Sequence, residues 1–221
     1  MTTPAIDTSH DRIGIDESGK GDYFGPLVIA AVFVNGTTEP ELRLMQVRDS
    51  KLISDGRVQE IARDIRQVCP HSVVAIGPER YNQLYVKIRN LNRLLAWGHA
   101  RALENLLEHV ECGRAISDQF GDERYVQNAL LEKGNQVELI QMPKAEADLA
   151  VAAASILARA EFLQRLARLS AVVKTTLPKG ASPAVELAAR MVIKKHGRDR
   201  LGTVAKLHFK TTKSILSSMD A

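Results

Sequence analysis

The sequence predicts an α/β fold, with a mixed five-stranded sheet flanked by helices. Two observations carry this. Short runs rich in valine and isoleucine alternate with longer runs whose apolar residues recur at helical spacing, in the order β-β-α-β-α-β-α-β-α. The chain has 221 residues, 45% of them hydrophobic and 25% charged, which is enough apolar material for one large domain or one with a modest appendage.

Residues 1–11 are polar and read as a disordered leader. Ile13-Gly14-Ile15 and Leu27 to Val34 read as two strands, joined by a glycine-rich turn and closed by Asn35-Gly36. Ser54 is placed to cap a helix that runs to about Val68, with Val58, Ile61, Ile65 and Val68 on one face and Pro70 as its stop. Ser72 to Ile76 reads as a third strand. Leu91 to His109 reads as a long helix with Leu94, Leu95, Ala102, Leu103, Leu106 and Leu107 as its apolar stripe. Arg114 to Ser117, ending at Asp118, and Gln136 to Gln141 are the fourth and fifth strands. Ala147 to Leu166 is predicted to be a helix whose alanines permit close packing on the sheet. Residues 182–217 read as short helices broken by Gly197 and Gly202, with Pro178-Lys179-Gly180 as a hinge before them.

Composition narrows the function classes. The net charge of +4 permits a polyanionic partner without demanding one. Cys69 and Cys112 lie far apart, without zinc-ligand spacing, and suit a reducing compartment, so a cytoplasmic location is expected. Met1 to Asp11 lacks an apolar core, and the alanine-rich Leu149 to Ala158 is too short to cross a bilayer, so no membrane partner is expected. The histidines are scattered, and the glycines spell neither a P-loop nor a dinucleotide fingerprint.

Several carboxylates stand where strands end. Asp16-Glu17 opens Ser18-Gly19-Lys20-Gly21-Asp22, where acid oxygens suit Mg²⁺ or Mn²⁺ and glycines let backbone N–H groups approach a phosphate or sugar. Adjacent strand residues point to opposite faces, so both acids reach one site only if the strand ends there or Glu17 contributes through its main chain. A polar turn explains the same residues equally well. Asp118 alone reads as a turn starter. Glu146 sits at a helix start, where the dipole already favours an acid, and Asp148 competes with it for either role. Residues 185–213 carry eight basic side chains (Arg190, Lys194, Lys195, Arg198, Arg200, Lys206, Lys210 and Lys213) against Glu186 and Asp199. That suits a phosphate backbone, or a solvated helix face. Lys51, in Asp49-Ser50-Lys51-Leu52, is placed to contact a phosphate or to pair with Asp49.

Taken together, these segments resemble the type 2 ribonucleases H, and within them ribonuclease HIII. The resemblance runs from Gly14-Ile15-Asp16-Glu17-Ser18-Gly19-Lys20-Gly21-Asp22-Tyr23-Phe24-Gly25-Pro26-Leu27 through Asp49-Ser50-Lys51-Leu52, Asn90-Leu91-Asn92, Trp97-Gly98-His99 and Asp118-Gln119-Phe120. It continues with Lys144-Ala145-Glu146, Ala152 to Arg159, Leu177-Pro178-Lys179-Gly180-Ala181 and Ala205 to Thr212, so that it spans roughly residues 12–216. It implies a ribonuclease H-like fold over 12–221, with a C-terminal helical extension from about 178. It implies that Asp16, Glu17, Asp118 and Glu146 bind two Mg²⁺ or Mn²⁺ ions, the glutamate at 146 favouring the HIII type, and that Asp22, Asp49 and Asp148 are structural or support those four from behind. Gly19-Lys20-Gly21 would read the ribose beside the cut, with Lys51, Lys206 and Lys210 as further substrate contacts. The implied reaction is two-metal hydrolysis of the RNA strand of RNA–DNA hybrids, leaving 5′-phosphate and 3′-hydroxyl ends, by a monomer. Incision at single ribonucleotides, as in ribonuclease HII, is the alternative; a non-catalytic nucleic-acid-binding module would not need all four acids. Two departures are visible: only about eleven residues precede the first motif, where the HIII type usually carries a substrate-binding domain, and no tyrosine follows Tyr125.

Overall fold

A computed structural model describes residues 11–119, 121–122 and 124–219; the expected leader therefore lies, Asp11 apart, outside the described residues. The two valine- and isoleucine-rich runs form β1 (Arg12–Ser18) and β2 (Leu27–Val34). All eight residues of β2 are buried, which explains why it reads as a continuous apolar run rather than an alternating one. Next comes α1 (Thr38–Leu44), a short helix whose entry is organised by the Asn35 side chain, which accepts from the N–H groups of Thr37 and Thr38. Helix α2 (Asp55–Val68) starts at Ser54, whose hydroxyl accepts from Arg57 N–H, and buries Val58, Ile61 and Ile65. There follow β3 (His71–Ile76), α3 (Pro78–Ile88), α4 (Leu91–Leu107), β4 (Arg114–Asp118), α5 (Arg124–Gln127), β5 (Glu138–Met142), α6 (Leu149–Val172), α7 (Pro183–His196) and α8 (Lys210–Met219).

The strands form one mixed sheet in the order β3-β2-β1-β4-β5, with β1–β4 and β4–β5 parallel. Helices α1, α3 and α5 were not expected. The first is only two turns long. The second follows Gly77-Pro78 and spaces Tyr81, Leu84, Tyr85 and Ile88 helically, so its signal was present. Helix α6 runs one and a half turns beyond its expected end, and Gly202 lies within a 3-10 turn, Asp199–Thr203, rather than breaking a helix.

The described residues group into two compact units. The first holds those up to Glu17, with Ile29–Val74 and Asn92–Ala160; the second holds Ser18–Val28, Ala75–Leu91 and those from Glu161 on. In the first, the alanines of α6 allow the closest packing. A methyl group on Gly14 of β1 would lie 2.0 Å from the Ala150 carbonyl carbon and 2.1 Å from Val151 N, so strand and helix touch backbone to backbone. Asp148 fixes the start of that helix by accepting from Ala150 N–H at 2.8 Å, while its other oxygen takes the Arg12 guanidinium at 2.7 Å. Arg12 also pairs with Glu39, so this buried cation is matched by two carboxylates.

In the second unit, Tyr81, Tyr85 and His208 stack, and Phe209 links them edge-on to Tyr23. No helix among the described residues is long and apolar enough to cross a membrane.

Candidate active site

Parallel pairing sets the first two acids. Ile15 of β1 lies opposite Ser117 of β4, so one step further the two strands deliver Asp16 and Asp118 to the same edge. The Asp16 side chain is half-buried. It accepts from Glu17 N–H at 2.8 Å and from the Ser155 hydroxyl of α6. Burial first, then the neighbouring Glu17 charge and, more weakly, Asp118 push its pKa up to about 7, against the pull of those two hydrogen bonds.

The pleat turns Glu17 the other way, as alternation requires: its Oε2 meets Nε2 of His99, a fully buried residue of α4, at 3.1 Å. The strand ends one residue later, and the Glu17 main chain already serves Asp16. Asp118, half-buried at the last position of β4, accepts from Ala145 N–H at 3.4 Å. That docks the 3-10 turn Ala145–Ala147 against it and places Glu146 at the next residue, half-buried. Asp148 is buried and paired with Arg12. Among the described residues, no three His, Cys, Asp or Glu side chains stand close enough to enclose a metal ion as they lie.

A supporting layer was not singled out residue by residue from the sequence. Ser155 Oγ is 2.8 Å from Ser50 Oγ, and Arg159 clasps the Ser50 carbonyl and the Asp55 carboxylate. The signal for Ser155 and His99 was a lone polar residue in an otherwise apolar helix stripe. Asp49 caps the 3-10 turn Ser50–Leu52 through Lys51 N–H, and the Lys51 side chain is exposed.

The second unit shows what the glycine-lysine-glycine loop is built on. Gly19 has φ +89°, and a methyl group there would meet the Pro26 carbonyl oxygen at 2.2 Å, so only glycine fits. The Asp22 side chain accepts from Gly180 N–H at 2.6 Å, and Tyr23 N–H donates to Gly180 O at 2.9 Å. Lys206 corrects an expectation. It is fully buried, and its ammonium donates to Asp22 O at 2.6 Å and lies 3.5 Å from Phe24 O. Burial lowers its pKa to about 7, a shift that the Asp22 charge opposes. It clamps the loop rather than meeting a phosphate. Lys210, at the start of α8, is exposed.

Comparison with known proteins decides the family. The model of a family described as Ribonuclease HII matches residues 13–212. The chain belongs to the ribonuclease HII family. Among its relatives, a Ribonuclease HIII of Protochlamydia amoebophila is 46% identical over 208 residues, covering 94% of this chain and 69% of the relative. A Ribonuclease HIII of Chlamydia pneumoniae is 46% identical over 209 residues, covering 93% and 70%. The solved structure of Bst-RNase HIII in complex with Mn²⁺ is similar at a TM-score of 0.88 and 35% identity, covering 95% of this chain and 70% of that one. The ribonuclease H-like α/β fold therefore holds, and the chain is a ribonuclease H hydrolase.

Proposed function

We propose that this chain is an endonuclease that hydrolyses the RNA strand of RNA–DNA hybrids, leaving 5′-phosphate and 3′-hydroxyl ends. The observation that carries the reading is the Asp16 carboxyl, half-buried beside the Glu17 and Asp118 charges, with its pKa pushed up to about 7. Carboxylates that raise one another's pKa repel, and a hard cation that drew them together would relieve that repulsion. The donor set fits Mg²⁺ or Mn²⁺, and Asp16, Glu17, Asp118 and Glu146 would hold two ions; the similar Bst-RNase HIII structure is a Mn²⁺ complex. When bound, the ions supply an activated water and charge stabilisation for the departing 3′ oxygen.

The protein's own groups orient and discriminate. Ser155 and Glu17 N–H hold the Asp16 oxygens, and His99 holds Glu17. Gly19-Lys20-Gly21 would read the ribose through its 2′-hydroxyl, which distinguishes RNA from DNA. Lys51 and Lys210, both exposed, are the proposed phosphate contacts. The chain acts as a monomer in the cytoplasm, with 12–221 as its catalytic domain and the helical extension beginning at about 178.

A strand-labelled hybrid and a DNA duplex with one embedded ribonucleotide, each incubated with Mg²⁺ or Mn²⁺, test this. Cleavage at several positions in the hybrid, and much weaker cleavage at the single ribonucleotide, is expected. Equal or better cutting at the single site would transfer the chain to the alternative, and no metal-dependent cutting of either would overturn the reading.

A further inference from the structure

Two stretches that stand far apart in the sequence, Asp49-Ser50-Lys51-Leu52 and Ala152 to Arg159, meet at one point. In α6, residues 155 and 159 lie one turn apart on the same face, and both reach the 3-10 turn Ser50–Leu52. Arg159 donates to the Ser50 carbonyl and holds the Asp55 carboxylate at 2.5 Å. Ser155 meets the Ser50 hydroxyl, Oγ to Oγ, at 2.8 Å. The turn is also closed on itself: Asp49 accepts from Lys51 N–H at 3.0 Å, and Ile53 N–H donates to Ser50 O at 3.2 Å. Gln59 of α2 donates to Ala160 O at 2.9 Å, which ties α2 to the same stretch of α6.

Proton count fixes the direction of the two-serine chain. A hydroxyl has one hydrogen to give. A bound cation requires Asp16 ionised, and Ser155 then gives its hydrogen to that carboxylate. Ser50 must therefore be the donor to Ser155, so the chain runs Ser50 O–H to Ser155 O–H to Asp16. Each bond polarises the next, and Asp16 receives a stronger donor than a lone serine supplies. Both serines are buried, and the neighbours of Ser155 in α6, Ala154, Ile156 and Leu157, are wholly apolar and fully buried. Alanine would fill the same place and favour the helix more. Packing alone asks for no hydroxyl there; the carboxylate at the end of the chain does.

We infer that Ser50 and Ser155 are positioning residues of the metal centre: their two-hydroxyl chain presents the Asp16 carboxylate to the cations and fixes it to the turn that carries Lys51. The inference deepens the hybrid-cleavage reading and rests on it for the cations and for the phosphate at Lys51. Ser50 is held at its hydroxyl by Ser155 and at its carbonyl by Arg159, and Lys51 is the next residue. The direction of the Asp16 oxygens and the place of the phosphate contact are thereby set by one arrangement. Groups that orient a metal-binding carboxylate from behind typically carry about 10–100-fold in metal affinity or activity.

Mn²⁺ uptake by the full chain, without nucleic acid, is followed by loss of the free-ion electron paramagnetic resonance signal. Ser155→Ala is expected to weaken it about tenfold and Ser50→Ala about threefold. In the Ser155→Ala background, Ser50→Ala is expected to change it by less than about 1.5-fold, because the Ser50 hydrogen then has no route to Asp16. On the hybrid, Ser155→Ala should lower kcat about tenfold and keep KM within about twofold. Thermal melting monitors folding separately, and Ser50→Ala carries the test if Ser155→Ala does not fold.

Native Mn²⁺ affinity and native kcat in folded Ser155→Ala or Ser50→Ala would overturn the inference and leave hybrid cleavage standing. So would effects of the two substitutions that simply multiply. Mn²⁺ uptake weakened as expected, in a chain whose native form cuts no hybrid, would keep the positioning role and remove the cleavage reading. A native chain that takes up no Mn²⁺ loses both.

Discussion

With its pKa pushed up to about 7, the Asp16 carboxyl is a place where a proton and a cation compete. Its folded pKa, about 7, lies above the ordinary value of 3.8, so between those values the folded metal-free chain binds the extra proton. Its contribution to stability is therefore most favourable below about pH 4 and is lost as pH rises through 7, by a few kcal/mol in all. We expect the melting temperature in EDTA to fall from pH 5 to 8, Mn²⁺ to restore it at the alkaline end, and Asp16→Asn to remove the slope. An unchanged slope in that variant would assign the effect elsewhere.

Glu146 and Asp148 are separated by a different measurement. Glu146→Gln should abolish cleavage at little cost to folding. Asp148→Asn should cost about 3 kcal/mol, because it takes away a buried carboxylate that pairs with the buried Arg12, a drop of roughly 6–12 °C in melting temperature. Cleavage surviving Glu146→Gln would assign the fourth acid wrongly. Local sequence does not separate these two, because both precede the same helix; what sets their surroundings apart is an arginine 136 residues from Asp148. Asp16, Glu17 and Asp118 were easier to read, since each closes a recognisable strand.

At the scale of elements, the basic C-terminal region divides into clamp and contact. Lys206 reads as one more lysine in a charged run, and nothing local marks it as buried; its partners are carbonyls nearly the whole chain away. Lys206→Ala should lower stability and leave the salt dependence of hybrid binding alone. Lys210→Ala should do the reverse, flattening the slope of log affinity against log salt by up to about 0.9. Equal salt slopes in the two variants would contradict this division. The expected order of strands and long helices stands, whereas α1 rests on a single Asn35 turn that periodicity cannot register.

For the whole molecule, hybrid binding is expected to be steeply salt-dependent. With Lys206 buried and the Lys195 ammonium donating to Lys174 O and Thr175, fewer of the eight basic residues in 185–213 are available than their number suggests. Two to four contacts give a log–log slope of about −2 to −4, so affinity and cleavage should both drop sharply between low and physiological salt. Affinity independent of salt would rule out the phosphate contacts proposed for the described chain.

The contact between β1 and α6 at Gly14 leads to a genetic consequence. The atoms nearest to a methyl group there are main-chain atoms of Ala150 and Val151, which no second substitution can trim. At Gly98 the obstacle is the Ile29 side chain, at 2.5 Å from Cδ1, and that can be shortened. Gly14→Ala should therefore fail to yield soluble folded protein. Gly98→Ala should cost about 1–3 kcal/mol. A search for second-site suppressors should recover Ile29→Val or Ile29→Ala for the latter and none that acts by shortening a neighbour for the former. The junction beneath Asp16 is thus closed to compensation, and drift at position 14 is blocked irrespective of what changes around it.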